Sequence, residues 1–490
     1  MNIEITRFDG GLRINPSPPY VLKYLKYFHR GMKTVRFRRE CVFEERLLYS
    51  LDKDGYLFTM PGFYKPIVKM IKKFSDTCTV VDLRTPMPEI DWNRVKKIKL
   101  RAYQPDLVVD MLLAAMDDNG VVNAAGGIGK TYLEALLCTA FSELNIIVAI
   151  PLKEVVTQTY KKFKELFPDK HIGIIGDGMN DISTDITITT FRSLKSCALE
   201  KCEMLIVDEL QSAGQPTFQN CLLKMHPRRV FGFSATPDGT FNNTDKLLRG
   251  VFGEDIVFFP YIKAEAVEAV VPGFVYMVKM PQDYVAGNYD TIETKFKYNV
   301  KKNDVRNALI GKVCSLIPDG WQTILFVDHV KDHLVPLFKY LPKDAKYLHR
   351  DSSKKSAGAF ALTNKQQKEI ALQFANNEFK TLVATDAFRA GVDIPNCRVV
   401  IQAASGSSKV EVLQEALRGS RILTDEQIEK FGLTKKTHFV LVDFMDNHDP
   451  MLEGMARKRI QYYKEQGWDV RIVDNADEID FNNTNKGMLL

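Results

Sequence analysis

The segment Asn123-Ala124-Ala125-Gly126-Gly127-Ile128-Gly129-Lys130-Thr131 follows the apolar pair Val121-Val122 and precedes a helical pattern. Glycines placed between a strand and a helix let backbone N–H groups wrap phosphate oxygens at the helix N-terminus. Ala125 to Gly129 would line the phosphates, Lys130 would neutralise the β- and γ-phosphates, and the Thr131 hydroxyl would ligate Mg2+. The general pattern opens on a glycine, and Ala124 stands there instead. A Gly-rich turn ahead of a helix also arises by chance, so a second element has to carry the reading. Leu205-Ile206-Val207-Asp208-Glu209 lies 78 residues beyond Lys130 and ends an apolar strand in two carboxylates. Strand C-termini are where parallel α/β sheets place their ligands. Asp208 would hold Mg2+, and Glu209 would orient and deprotonate the attacking water. Acid pairs at strand ends are common alone; their order and spacing after the loop give them weight. The chemistry these groups would do is hydrolysis of ATP, with ATP and Mg2+ as the expected cofactors.

A parallel α/β sheet must position these groups. Short apolar runs recur at Ile146–Ile150, Ile186–Thr190, Met204–Val207 and Arg229–Phe233, and a second series at Thr323–Val327, Ala345–Leu348, Thr381–Ala384, Arg398–Gln402 and His438–Phe444. Runs of this kind are strands buried on both faces, joined by helical crossovers. Residues 255 to 300 lack the rhythm and hold Pro260, Pro272 and Pro281, so 259–300 reads as a link between two domains, 96–258 and 301–474. The stretch from Asn475 to 490 reads as a frayed polar tail. Residues 1–95 read as a small α+β domain. Phe63, Ile67, Val68, Ile71 and Phe74 mark one helix face, with Lys65, Lys69, Lys72 and Lys73 around the others. Val35-Arg36-Phe37-Arg38-Arg39 alternates as a strand with one basic face, on which Arg36 and Arg38 are candidate DNA contacts along with Lys69.

Bulk properties agree with a multidomain soluble protein. The chain has 490 residues, 45% hydrophobic and 26% charged, without a run of 18 apolar residues or an apolar core behind a basic start. Membrane spans and a signal peptide are therefore not expected. Cysteines 41, 78, 138, 197, 202, 221, 314 and 397 form no Cys-x-x-Cys pair, which favours buried thiols over a zinc site or disulfides and a cytoplasmic setting. Residues 1–100 hold 20 Lys or Arg against 11 Asp or Glu, while the remainder holds 47 against 50. The positive excess therefore lies in the N-terminal fifth, where it is either a solvated surface or a phosphate-facing domain.

Together these motifs resemble those of superfamily 2 helicases, over about residues 100–465. Asp208-Glu209-Leu210-Gln211 stands at the Asp-Glu-x-His box, with Gln211 replacing histidine, and Ser234-Ala235-Thr236 at the Ser-Ala-Thr element 26 residues later. Leu100-Arg101-Ala102-Tyr103-Gln104 resembles the adenine-reading segment, with Gln104 as the reader. Thr385-Asp386-Ala387-Phe388-Arg389-Ala390-Gly391-Val392-Asp393 resembles motif V, with Gly391 and Asp393 facing the nucleotide. Gln414-Glu415-Ala416-Leu417-Arg418-Gly419-Ser420-Arg421 resembles motif VI, with Leu417 in place of a glycine. The resemblance implies two RecA-like domains, with Arg418 and Arg421 delivered to the γ-phosphate across a cleft. It also implies strand contacts at Pro151-Leu152, Thr189-Thr190, Asp328-His329 and Thr385, which grip phosphates without reading sequence.

Within the superfamily, Asp54-Gly55-Tyr56-Leu57-Phe58-Thr59-Met60-Pro61-Gly62-Phe63 and Ile67-Val68-Lys69-Met70-Ile71-Lys72-Lys73-Phe74 resemble the front domain of the bacteriophage UvsW type. That likeness implies a monomeric enzyme, in the host cytoplasm if phage-encoded, acting on branched DNA in phage recombination and replication. Its reactions would be Holliday junction migration, fork reversal and displacement-loop dissociation. An RNA helicase is the first alternative, disfavoured by the Asp208–Gln211 and Tyr103-Gln104 segments. A restriction-type double-stranded DNA translocase subunit is the second, and no nuclease motif accompanies it. A non-enzymatic clamp would have no need of Lys130, Glu209 and Arg421 together.

Overall fold

Ile146–Ile150 is buried at every position, and so is Ile186–Thr190. Burying each large apolar side chain stabilises the fold by about 1.5–3 kcal/mol, which holds such runs between helices in the middle of a sheet. The computed structural model describes residues 1–484 except 36–37, 100–103, 177, 198, 223, 239–242, 350–356, 386–393 and 395. It leaves the side chains at 32–35, 38–40 and 154 undescribed.

The chain forms two compact units, one of Met1–Ala125 with Gly129–Pro260, the other of Gly126–Ile128 with Tyr261–Leu490. In the first unit the front region comes first. Strands β1 (Asn2–Phe8), β2 (Gly11–Asn15), β5 (Tyr49–Leu51), β6 (Leu57–Thr59) and β7 (Thr77–Asp82) make a sheet in the order β5-β6-β2-β1-β7. Helix α1 (Pro19–Tyr24) precedes a separate ribbon of β3 (Lys26–Val35) and β4 (Arg38–Leu47), and α2 (Tyr64–Lys73) follows β6. Ile3, Ile5, Ile14, Phe63, Ile67 and Ile71 share one core. The expected helix face is thus partly present: Ile67 and Ile71 are fully buried, whereas Phe74 is 54% exposed and stacks on Tyr20. Val35 and Arg38 are antiparallel partners across the ribbon, so Val35–Arg39 is not one strand with a basic face. Arg36 lies outside the described residues, as does the side chain of Arg38.

After α3 (Trp92–Val95) and α4 (Gln104–Asp117), the first motor sheet is built from β8 (Gly120–Ala124), β9 (Ile146–Ile150), β10 (Ile172–Gly176), β11 (Met179–Asp181), β12 (Ile186–Thr190), β13 (Met204–Asp208), β14 (Arg229–Ser234) and β15 (Asp255–Phe259). Their order is β11-β10-β12-β9-β13-β14-β8-β15, parallel except for the β10/β11 pair. The front region packs on this sheet's helices. Gly62 lies so close to the segment Arg249–Gly253 that an added Cβ would sit 2.3 Å from the Arg249 carbonyl oxygen and 2.5 Å from the Gly253 nitrogen. Asp118 accepts from Arg7, from Lys65 at 3.1 Å and from Arg84 at 3.2 Å. Lys246 donates to the carbonyls of Tyr24 and Lys26.

The second unit carries a parallel sheet of β16 (Gly273–Val278), β17 (Gln322–Phe326), β18 (Lys346–Leu348), β19 (Thr381–Ala384), β20 (Cys397–Gln402), β21 (Phe439–Phe444) and β22 (Asp469–Val473), in the order β18-β19-β17-β20-β21-β16-β22. Two expectations are corrected here. Residues 259–300 are not a link, because Gly273–Val278 is buried throughout and lies between β21 and β22. The stretch beyond Asn475 is not frayed as far as 484, because Ala476, Ile479 and Phe481 join the second core. No helix among the described residues is long and apolar enough to cross a membrane.

Candidate active site

Strand β8 runs into the glycine loop, and α5 (Lys130–Ala140) begins at Lys130. Gly127 and Gly129 take φ of +89° and +90°, a region that side chains with a Cβ rarely enter. This winding turns the loop around the space ahead of α5, whose first N–H groups have no partner one turn back. Gln104, at the start of α4, is 3% exposed, and its Nε2 lies 3.2 Å from the position a Cβ would take on Gly129. The structure thus brings the adenine-reading candidate beside the phosphate loop.

Asp208 ends β13, and its carboxylate accepts the backbone N–H of Glu209 at 2.9 Å. Glu209 itself is left-handed, at φ +51° and ψ +56°. A non-glycine residue held there costs on the order of 1–3 kcal/mol, and such strain collects at functional sites. Gln211 then answers its substitution for histidine. Its Nε2 donates to a Glu209 carboxylate oxygen at 2.6 Å, and its Oε1 accepts from the Ser234 hydroxyl at 2.5 Å. Ser234 accepts in turn from the Thr236 N–H at 2.9 Å. An amide therefore joins the acid pair to the Ser-Ala-Thr element.

Glu134, on α5, is a site residue that sequence reading missed. It is 1% exposed, and Asp208 is its strongest charged neighbour. Burial, and then the Asp208 charge, push its carboxyl well up; burial and Glu209 raise Asp208 as well, against the pull of Lys130. The available signal was its place four residues after Lys130, one helical turn on. Thr131, Asp208 and the neighbouring carboxylates are hard oxygen donors, and Glu134 Oε1 is buried without a hydrogen-bond partner. This donor set fits Mg2+.

The expected strand contacts divide. Pro151, after β9, is half-buried, and His329, after β17, is exposed with its Nδ1 2.9 Å from the Asp328 carbonyl. Thr385 is 7% exposed. Thr189 and Thr190 are buried as well, and Thr190 accepts the Ser193 N–H at 3.0 Å while its hydroxyl donates to Ser193 Oγ. The Thr190 hydroxyl therefore closes a turn instead of facing a surface. Lys69 is exposed on α2. Gly391 and Asp393 lie outside the described residues. Arg418 and Arg421, both half-buried, follow the helix Lys409–Ala416 in the second unit. Leu417 is right-handed, at φ −64° and ψ −7°, so the family's glycine is not needed for the backbone there. Gly419 is needed, because a Cβ would meet the Phe439 ring at 2.3 Å.

A family model described as the Type III restriction enzyme, res subunit, matches residues 97–239, and the helicase conserved C-terminal domain matches 306–423. The chain is an ATP-dependent helicase of superfamily 2. The helicase is 25% identical over 374 residues to XPB2, a DNA 3'-5' translocase of Sulfurisphaera tokodaii, across 68% of this chain and 80% of the relative. Among solved structures, S. cerevisiae Dbp5 bound to RNA and ADP BeF3 superposes with a TM-score of 0.53 at 16% identity, over 79% of the helicase and 92% of that chain. The HsdR fragment of a type I restriction enzyme from Vibrio vulnificus gives 0.52 at 15%, over 89% and 79%. T4 UvsW gives 0.44 at 17%, over 97% and 100%. The fold is that of two tandem RecA-like domains.

Proposed function

We propose that the helicase remodels branched DNA as a monomer, migrating Holliday junctions, reversing forks and dissociating displacement loops. The observation that supports this is the ribbon β3–β4. Residues 26–47 carry seven Lys or Arg against three Glu, on a front region packed into the same unit as the first motor sheet. A cationic element fixed to a motor domain can hold one duplex arm while the motor moves along another, and clustered cations gain affinity by releasing counterions.

In the cycle, Lys130 and the loop N–H groups bind the phosphates, and Glu209 takes the proton of the attacking water. Magnesium bound at Thr131 and Asp208 would supply charge neutralisation to the phosphates. Arg418 and Arg421 would stabilise the γ-phosphate from the second RecA-like domain, so that hydrolysis requires closure and release permits opening. Pro151, His329 and Thr385 remain candidates for gripping the DNA backbone.

Removing residues 1–95 would strip the cover from Arg249–Gly253, so point changes test the reading better. Arg30→Glu with Arg46→Glu and Lys69→Glu is expected to weaken junction binding and make its salt slope shallower, by about 0.9 for each phosphate no longer neutralised. ATPase activity stimulated by single-stranded DNA should persist. Junction unwinding at the wild-type rate and salt slope would remove the ribbon from branch binding. A second reading, translocation on duplex without strand separation, is favoured by the match to the restriction res subunit. Displacement of a triplex-forming strand without unwinding of any branched substrate would select it.

A further inference from the structure

Helix α5 is buried along nearly its whole length, from Leu133 to Ala140. Apolar residues fill most of that face, so a carboxylate at position 134 needs a reason. An unpaired buried carboxyl carries a desolvation penalty that an apolar residue of equal size would avoid. Glu134 is not placed at random in that core. The charges around it are Asp208, Lys130 and Glu209, the groups of the nucleotide site. Its Oε1 is buried with no hydrogen-bond partner.

Three carboxylates therefore surround one ammonium. The arrangement leaves one open acceptor among the groups of the nucleotide site. Among the described residues no three acidic, histidine or cysteine side chains are spaced to chelate a metal directly. Mg2+ keeps several of its waters when protein-bound, so a carboxylate can act on it through them. We propose that Glu134 is a positioning residue for the divalent cation: it steadies Asp208 and accepts, through its open oxygen, from a water of the cation's shell. This rests on reading Thr131 and Asp208 as the cation's ligands.

The experiment titrates Mg2+ against binding of a fluorescent ATP analogue to the full chain, at fixed nucleotide and without turnover. Glu134→Gln keeps the shape and replaces one carboxyl oxygen with an amide donor; Glu134→Met keeps the length and removes both oxygens. The readout is each variant's ratio of affinities with Mg2+ and in EDTA, set against the wild-type ratio. Both should need about 10- to 100-fold more Mg2+ to reach tight binding, the usual effect of losing a group that acts on a metal through its shell. Should one variant fail to fold, the other carries the test. A wild-type Mg2+ requirement in a folded variant overturns the inference. An equal loss of affinity with and without Mg2+ also overturns it, because Glu134 would then only shape the loop. Asp208→Asn separates the two levels. If Asp208→Asn shifts the Mg2+ requirement and Glu134→Gln does not, this inference fails alone; if neither shifts it, the ligand assignment fails too.

Discussion

Gln211 makes two hydrogen bonds that point in opposite directions, one to the carboxylate expected to activate water and one to Ser234. That bridge makes separable predictions for neighbouring residues. Glu209→Gln keeps the shape but removes the base, so ATP should still bind while turnover falls roughly 10²-fold or more. Loss of ATP binding, seen by equilibrium titration, would make Glu209 a structural group. Gln211→Ala takes one hydrogen-bond partner from each of Glu209 and Ser234 but leaves the base in place. Hydrolysis without DNA should fall modestly, whereas the stimulation by single-stranded DNA should be lost. A stimulation ratio equal to the wild type's would mean that the bridge transmits nothing. Lys130→Ala should abolish turnover with the fold intact, since removing a charge-stabilising donor of this type costs about 2.7–4 kcal/mol of transition-state stabilisation. Near-normal hydrolysis would show the loop to be misassigned.

At the scale of elements, the seam between the front region and the first motor sheet depends on backbone meeting backbone. Gly62→Ala would drive a methyl into the Arg249 and Gly253 main chain, which cannot yield as a flexible side chain does. It should cost about 1–3 kcal/mol in urea unfolding and open the front region to proteolysis. Unchanged stability would mean that the seam can slide. In the second unit, His333 is fully buried, accepts the Asp328 N–H through Nδ1 and leaves Nε2 unpartnered. Burial, and then Arg306, hold its ring down at about 3, against the pull of Asp328. The folded pKa thus lies below the unfolded one near 6.5, so the unfolded chain takes up the proton first. Stability is lost as pH falls from about 6.5 toward 3, by about 1.4 kcal/mol per pH unit. His333→Gln, whose carbonyl can still accept from Asp328, should flatten that slope in melts between about pH 7 and 5.

For the whole molecule, Arg421→Ala asks whether two RecA-like domains share one active site. A finger acts on charge that develops in the transition state, so kcat should fall by roughly 10³-fold or more while ATP affinity changes little. Retained ATPase with lost unwinding would assign Arg421 to coupling or DNA binding.

What the sequence determined by itself is whatever is local or periodic. Strands such as Ile146–Ile150 were legible because burial on both faces demands an unbroken apolar run, and the phosphate loop because its glycines and Lys130 act within nine residues. The motor motifs followed from their order. Tertiary structure decided the rest. Gly273–Val278 is as apolar as its neighbours, but it sits after Pro272, and only the β21-β16-β22 pairing makes it a strand of the second domain. Ala476, Ile479 and Phe481 are spaced among polar residues, so their docking could not be read as a pattern. Arg36 and Arg38 alternate in the sequence as a strand would, yet Val35 and Arg38 belong to two strands paired antiparallel. Glu134 carries no motif of its own, and Gln211 departs from the one it stands in. Their partners are 74 and 23 residues away, at Asp208 and Ser234, and such distances are closed only when helix phase and strand order bring the groups together.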